Sequence, residues 1–321
     1  MRRNFPVAAI FAAVAVLIAT VAAGPAVAQQ DQKGKVSVGI DKIEVTEAVR
    51  NAVAEQGQDK LNSMNRVVQS MESQLIDRLH NTRKFKIIAR GDLEKVLKEQ
   101  DLNNALASGS GDAKVAKTFG IAGAKHVVIT TVDDFQDLEK KLRGDGGQVI
   151  ASKRIVRLSA VAKIYKTAGE NAATLMESAN FQLSNQKGKD RELDIQADGQ
   201  ESDKLLTAMA RTMAQKVANR VTNVIFPAKI IAKTNKVVTI NRGDGTNIAK
   251  GQEWQVFALG EKLVDPATGE VLGREEVPVG RVKVIDVTPK FSRAHVVKDY
   301  GVSEGQILRP VEEDSGKQAE K

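Results

Sequence analysis

The chain has 321 residues, of which 42% are hydrophobic and 27% charged, with a formal net charge of +8 and no Cys. This length predicts about two domains with enough apolar chain for a core, and the composition excludes a wholly disordered, collagen-like or polytopic membrane protein. The absence of Cys excludes disulfides, Cys-ligated zinc, iron–sulfur clusters and thiol nucleophiles, and we expect no lipid-modified Cys at the mature N-terminus.

The first residues have the three-part layout of a secretory signal. Arg2 and Arg3 form a short basic segment, and an apolar stretch at residues 7–23 leads to a cleavage site with small residues at the −3 and −1 positions. Those two positions and the first mature residue are Ala26, Ala28 and Gln29. A signal peptide is therefore predicted over residues 1–28, exported by the general secretory route, with the twin-arginine route as the alternative. A retained anchor is the other alternative, but ~17 apolar residues are short against the ~20 of a membrane span.

Export changes what the positive charge implies. Removing Arg2 and Arg3 leaves 46 basic against 40 acidic residues, a net charge of +6, and these charges are mixed along the chain. Such mixing is typical of a solvated surface, so nucleic acid is not an expected partner. We expect a periplasmic protein without an integral membrane span after cleavage, with peripheral attachment to the outer membrane as a further expectation.

Residues 36–226 alternate between strand and helix patterns. Strands are predicted at residues 36–40, 85–89, 126–132, 155–165 and 173–183. Apolar stripes at three- and four-residue spacing predict long helices at residues 61–79 and 205–224. Asp92 and Asp112 are plausible N-caps of two shorter helices, the second ending at Gly120. This part is therefore predicted to be an α+β domain, with a mixed sheet in a three-layer arrangement of the α/β kind.

After Pro227 the apolar period changes to two. Short strands are predicted at residues 230–232, 236–240, 254–259, 279–287 and 293–297. The turns between them carry Gly243, Gly251, Asp265, Pro266 and Gly269. Residues 228–310 are thus predicted to form a small all-β barrel or sandwich domain, and residues 311–321 a disordered tail.

Both halves resemble known families. An arginine is followed by a helix motif, a Gly-containing segment and an apolar strand, in an order that resembles the curli secretion component (CsgG) family. The residues that carry this resemblance are Arg90, Leu93, Leu97, Glu99, Gln100, Gly120 and Ala124. The turns after Ile240 resemble the C-terminal domain of the flagellar assembly protein T. The resemblance implies a periplasmic domain of the secretion, flagellar-ring or wall-synthase-activating kind, and gives the motif residues a structural role.

The family that the chain resembles includes members that form a pore from transmembrane β-hairpins. Here the hairpin between residues 132 and 165 contains charged side chains at positions 139, 140, 141, 143, 145, 153, 154 and 157. Each Arg or Lys on a lipid face would cost ~2–4 kcal/mol at the bilayer midplane. A chain that works without such a pore is therefore expected.

Groups that could carry chemistry are few. His80, His126 and His295 lack metal-ligand spacing, and the glycine-rich turns do not open a helix that could hold phosphate. Asp133 and Asp134 follow a buried strand and keep a hydrolase open as an alternative, although a strand terminator is the favoured interpretation. No catalytic residue, metal site or cofactor is predicted.

These observations predict an exported, non-enzymatic protein that docks to envelope or appendage-assembly proteins during secretion or assembly. The alternative is a periplasmic regulator that binds cell-wall polymer or a wall synthase. The Met-bearing helix stripes could support a homo-oligomer, although an internal core is the favoured interpretation of both stripes.

Overall fold

A computed structural model of the chain describes residues 34–93, 111–143, 145–168, 172–185, 202–269 and 271–311. The first part contains the helices α1 (Glu47–Glu55), α2 (Gln58–Asn81), α3 (Gly111–Ile121) and α4 (Ser202–Ile225). Its strands are β1 (Val36–Ile40), β2 (Glu44–Val45), β3 (Phe85–Ala89), β4 (His126–Arg143), β5 (Val149–Ala168) and β6 (Ala172–Ser184). The second part contains β7 (Ala228–Thr234), β8 (Val237–Ile240), β9 (Glu253–Val264), β10 (Val271–Val287), β11 (Ser292–Asp299) and β12 (Ile307–Pro310).

The described strands of the first part form one mixed sheet. Its order is β3-β1-β4-β5-β6, and β2 pairs with β4 beyond the end of β1. β3, β1 and β4 run parallel, with Ile40 opposite both Ala89 and Val128. β5 and β6 join as antiparallel neighbours.

Helices cover both faces of this sheet. Val128 and Val132 of β4 belong to a large apolar core with α2 and α4, whereas Val127 and Ile129 pack in a smaller core with Phe119 of α3. Since neighbouring residues of a strand point to opposite faces, α3 lies on the face opposite α2 and α4. The predicted three-layer α+β arrangement with a mixed sheet is confirmed.

The two Met-bearing stripes belong to the interior. Met64 and Met71 of α2 and Met209 and Met213 of α4 are all 0% exposed. They share one core with the sheet, because the two helices pack side by side on it. The favoured interpretation of the stripes as core is therefore right, and they do not provide a surface for a homo-oligomer.

The strand predicted at residues 126–132 is much longer in the structure. β4 continues to Arg143, so Asp133 and Asp134 do not terminate it. A bulge between Val132 and Asp134 absorbs one residue, and Asp134 then pairs with Ser159. The prediction of a strand terminator was wrong because backbone pairing with β5 outweighs the low strand propensity of Asp.

The second part closes into a barrel. Its strands follow the order β10-β11-β8-β7-β12-β9, which decides between the two predicted architectures. Trp254, Val256, Val282 and Ala294 are at most 1% exposed and fill the interior. β12 was not predicted, although its pairing with both β7 and β9 closes the barrel.

Candidate functional site

Arg90, the first residue of the predicted family motif, ties two parallel strands together. It follows β3 in a short 3-10 turn over Arg90–Asp92, and Leu93, directly after the predicted cap Asp92, is helical. Its Nη1 lies 3.5 Å from Oδ1 of Asp41, the residue after β1. The Asp41 side chain is only 7% exposed and that of Arg90 is 40% exposed. The pair thus joins the carboxyl ends of β1 and β3.

The carboxyl group of Asp41 has an altered acidity. Burial raises its pKa, Arg90 lowers it, and the neighbouring carboxylates of Glu44 and Glu72 add to the rise, so that the pKa lies above its ordinary value. The carboxylate of Glu72 also contacts this segment: its Oε2 accepts a hydrogen bond at 3.1 Å from the backbone N–H of Ile43. These contacts anchor the segment between β1 and β2 to α2 and to the turn after β3.

The remaining motif residues divide into two groups. Leu93 and Ala124 are buried in the smaller core beside Phe119, and Gly120 lies in the last turn of α3. Leu97, Glu99 and Gln100 lie outside the described residues, as do Ala26, Ala28 and Gln29 of the predicted cleavage site.

The alternative of a hydrolase at Asp133 and Asp134 gains no support from their surroundings. Asp133 is exposed, and Oδ1 of Asp134 accepts a long hydrogen bond of 3.4 Å from Nε2 of Gln136. His126 lies at the start of the same strand, where burial and the charges of Lys166 and Lys125 lower its pKa. Within the part of the chain that the structure describes, no group of three or more His, Asp or Glu could hold a metal ion.

Asp112 connects α3 to the sheet and is not the N-cap that the sequence predicts. It lies inside the first turn of α3, which begins at Gly111. Its Oδ2 accepts hydrogen bonds from Lys163 Nζ at 2.7 Å and from Tyr165 Oη at 2.8 Å. Burial, followed by the hydrogen bond to Asp112, raises the pKa of Tyr165 to about 12, so this phenol stays protonated at neutral pH. Lys163 and Tyr165 are two residues apart on β5 and therefore lie on the same face of the strand, where both contact Asp112.

A second buried carboxylate lies where β4 and β5 leave the rest of the sheet. Asp137 is 2% exposed, and its two oxygens accept hydrogen bonds from Arg154 Nε at 2.6 Å and Arg154 Nη2 at 2.5 Å. Lys60 Nζ of α2 approaches Oδ2 at 3.0 Å. Burial pushes the pKa of Asp137 upward, but the hydrogen bonds from Arg154 and Lys60 outweigh it and hold the pKa below its ordinary value. We call this group the Asp137 clamp; no local sequence pattern indicates it.

Arg242 connects the barrel to the end of α4. The sequence presents it only as part of a glycine-rich turn, yet it is 1% exposed. Its Nη2 donates to the carbonyl oxygens of Phe226 at 2.8 Å and Thr222 at 3.3 Å, which belong to the carboxyl end of α4. Its guanidinium carbon lies 6.0 Å from the ring centre of Trp254. Burial lowers the pKa of Arg242 to about 10, so the group is still a cation at neutral pH. A cation at this position interacts favourably with the carboxyl end of the helix and gives the carbonyl oxygen of Phe226 a donor.

The predicted turn glycines meet real constraints of the backbone. At Gly243 an added Cβ would lie 2.5 Å from the carbonyl oxygen of Thr288, so only glycine fits. Gly251 and Gly269 have φ of 90° and 72°, in the left-handed region. Asp265 opens the turn that contains Pro266, and its Oδ1 accepts a hydrogen bond at 2.7 Å from the N–H of Ala267. These residues shape turns.

A polar cleft of about 530 Å³ lies where the barrel meets the helices. Its residues come from the last turns of α2, the turn after α2, the middle of α4 and the loop after β8: Gln74, Asp77, Arg78, Asn81, Arg83, Gln215, Asp244, Gly245, Asn247 and Ile248. Arg78 donates to Oε1 of Gln215, and Arg83 and Asn247 hold positive φ values of 58° and 56°. Carboxylates, guanidiniums and carboxamides in one cleft can bind a polar ligand through many hydrogen bonds.

Across the described ranges, none of the helices combines the length and the apolar character needed to cross a bilayer.

Comparison with known proteins gives one family. Residues 23–174 match the family described as the curli production assembly/transport component CsgG, which supports the resemblance drawn from Arg90 to Ala124. No curated protein matches the chain. The resemblance of residues 228–310 to the flagellar assembly protein T remains a prediction.

Several solved structures are similar to part of the chain. The hypothetical protein CT253 from Chlamydia trachomatis is 12% identical, with 60% of this chain and 98% of that one covered and a TM-score of 0.34. The PelC dodecamer from Paraburkholderia phytofirmans is 12% identical, with 57% and 86% covered and a TM-score of 0.28. Lipoprotein GNA1162 from Neisseria meningitidis is 12% identical, with 57% and 99% covered and a TM-score of 0.27. At this level of similarity, the function has to be argued from the residues of this chain and from the CsgG match.

Proposed function

We propose that the chain is an exported, non-enzymatic member of the CsgG-type proteins that docks to envelope proteins during secretion or appendage assembly. The observation that carries the proposal is the family match over residues 23–174, which includes β1 to β5, the helices α1 to α3 and the Arg90–Asp41 pair. The contacts of the titratable groups are consistent with it, because Asp41, Asp112 and Asp137 each join structural elements.

The edge strand β6 is the surface of the first part that best suits docking. It ends the sheet order, and among the described strands it pairs only with β5. Leu175 and Met176 on this strand are 49% and 41% exposed. An open strand edge with exposed apolar side chains can accept a strand of a partner. The helices α2 and α4 cannot offer their apolar stripes, because these stripes are buried in the core.

In-cell photo-crosslinking tests this proposal. A photoreactive residue at Leu175 should give a defined protein adduct in the periplasmic or outer-membrane fraction, and mass spectrometry should identify an envelope-assembly component. Ile121 on α3 is 40% exposed and is the matched control, for which no such adduct is expected. Recovery of the protein in the cytoplasm, with an intact residue 1–28 segment, would refute export; identical adducts from both positions would refute docking at β6.

The polar cleft supports a second candidate, a regulator that binds cell-wall polymer. Glycan and peptide stems present hydroxyl, amide and carboxylate groups, which match the carboxamides, Asp77 and Arg83 of the cleft. The mature protein should then sediment with purified sacculi at low salt. Arg83→Asn should weaken retention because it removes a cation from the cleft, and Asn is chosen because it tolerates the positive φ of this position. Arg50→Asn on α1 should leave retention unchanged. Equal retention of the two variants would exclude the cleft as the binding site.

A further inference from the structure

The barrel carries a two-stranded projection. β12 pairs with β9 only from Trp254 to Phe257, and β11 pairs with β10 only from Gly280 onward. Between these limits, residues 258–264 and 271–277 pair only with each other among the described strands. We call residues 258–277 the β9–β10 arm. No described strand covers either of its long edges.

The arm exposes apolar side chains on both faces. Five large apolar residues lie on it with the following exposures: Leu259 36%, Leu263 50%, Val264 50%, Val271 57% and Val277 42%. The register pairs Val264 with Val271 and Val277 with Ala258, with shifts between residues 271 and 273 and between residues 274 and 276. Leu263 and Val264 are neighbours on β9 and therefore lie on opposite faces of the ribbon. A two-stranded ribbon of this kind is only marginally stable in water, and clustered apolar exposure marks an interaction surface.

The arm is also acidic within a basic protein. Residues 259–277 contain five acidic and two basic residues, a net charge of −3, whereas the whole chain has +8. Arg309 engages Glu276 through two hydrogen bonds of 3.0 and 2.7 Å and holds the base of the arm. Nearer the tip, Glu261 and Glu275 are exposed. An anionic lipid surface would repel the acidic arm, whereas a basic segment of a protein would be attracted to the arm.

We propose that the arm is a docking element to which a partner protein adds an extended segment with alternating apolar and Lys or Arg side chains. Strand addition would give the ribbon its third strand, the apolar side chains would cover Val264 and Val271, and the basic side chains would pair with Glu261 and Glu275. The inference rests on the proposed docking function and adds to it the surface and the chemistry of the partner.

Fluorescence anisotropy on the full mature protein tests the inference. The probes are a labelled peptide of alternating Val and Lys and a matched peptide of alternating Val and Glu. The Val/Lys peptide should bind at least about tenfold more tightly than the Val/Glu peptide, and its affinity should fall as the salt concentration rises. The double variant Val264→Ser/Val271→Ser should weaken binding about tenfold, because each valine loses part of its apolar contact. Ile231→Ser/Val297→Ser is the matched control, since these barrel residues are 54% and 50% exposed and lie outside the arm.

A charge-reversal variant guards against a change in folding. Glu261→Lys/Glu275→Lys changes only exposed side chains, so the unfolding curve should stay the same while the preference moves to the Val/Glu peptide. Equal binding of the two peptides, or equal losses in the arm and control variants, would overturn the inference. So would self-association of the chain that depends on Val264 and Val271, because the occupant would then be a second copy. None of these outcomes touches the crosslinking test at Leu175, so the two proposals can fail separately.

Discussion

Two β-ribbons extend beyond their parent sheets, and they are held in different ways. The β4–β5 ribbon continues past the end of β6 at Ser184, and the Asp137 clamp at its base fastens it to α2. The β9–β10 arm has a surface ion pair, Arg309 with Glu276, and both of these residues are exposed. Removing one partner of a buried ion pair costs far more stability than removing one partner of an exposed pair. We therefore expect the β4–β5 ribbon to unfold together with the rest of the protein and the β9–β10 arm to open alone.

The largest expected effect comes from the Asp137 clamp. Asp137→Ala removes two hydrogen bonds from Arg154, whose side chain is only 19% exposed, and the contact with Lys60. The free energy of unfolding should fall by about 3–5 kcal/mol, measured by urea denaturation. Asp145→Ala, at an exposed position in the turn of the same ribbon, should change it by less than about 0.5 kcal/mol. A loss below about 1 kcal/mol in Asp137→Ala would mean that the ribbon is not part of the cooperative unit.

Acid should reveal the same clamp. The pKa of Asp137 is lower in the folded protein than the ~3.9 of an unfolded aspartate. Its contribution is therefore fully present above that value and is lost as the pH falls through the lower, folded pKa. The difference in unfolding free energy between wild type and Asp137→Ala should be constant from pH 7 to about 5 and shrink below about 4. A difference that stays constant down to pH 2.5 would refute a salt bridge with this carboxylate.

The sequence predicts the strands of both ribbons but not the side-chain contacts that hold them. Alternation of apolar residues predicts β5 and the barrel strands, since this pattern depends only on which face is buried. The Asp137 clamp joins residues 60, 137 and 154, and nothing in their local pattern specifies that they meet. Arg242 was hidden for the same reason, because the carbonyls that it binds belong to the end of α4. The sequence pattern also predicts too short a β4, because the charged second half of this strand is held by its pairing with β5.

Asn185 marks the boundary between the sheet and the β4–β5 ribbon. Its Oδ1 accepts from the N–H of Val156 at 2.8 Å, and its Nδ2 donates to the carbonyl oxygen of Arg154 at 3.0 Å. The side chain therefore continues the pairing of β6 at the point where that strand ends. Asn185→Ala should cost about 1–2 kcal/mol of unfolding free energy, since two partly buried backbone groups lose partners. Asn185→Asp should recover part of the loss, because its carboxylate can still accept from Val156.

The smallest global effect is expected in the arm, at Gly269. This residue closes the turn with φ of 72°, and its N–H donates to the carbonyl oxygen of Asp265 at 2.8 Å. Gly269→Ala forces a side chain into the left-handed region at a cost of about 1 kcal/mol, whereas Gly269→Asn should cost less because Asn tolerates that region. Because the described residues of the arm form no buried ion pair, this cost should appear as about fivefold faster amide hydrogen exchange at residues 258–264, with the global unfolding free energy unchanged within about 0.5 kcal/mol. A matching loss in the global value would show that the arm is part of the cooperative fold, and the contrast between the two ribbons would then disappear.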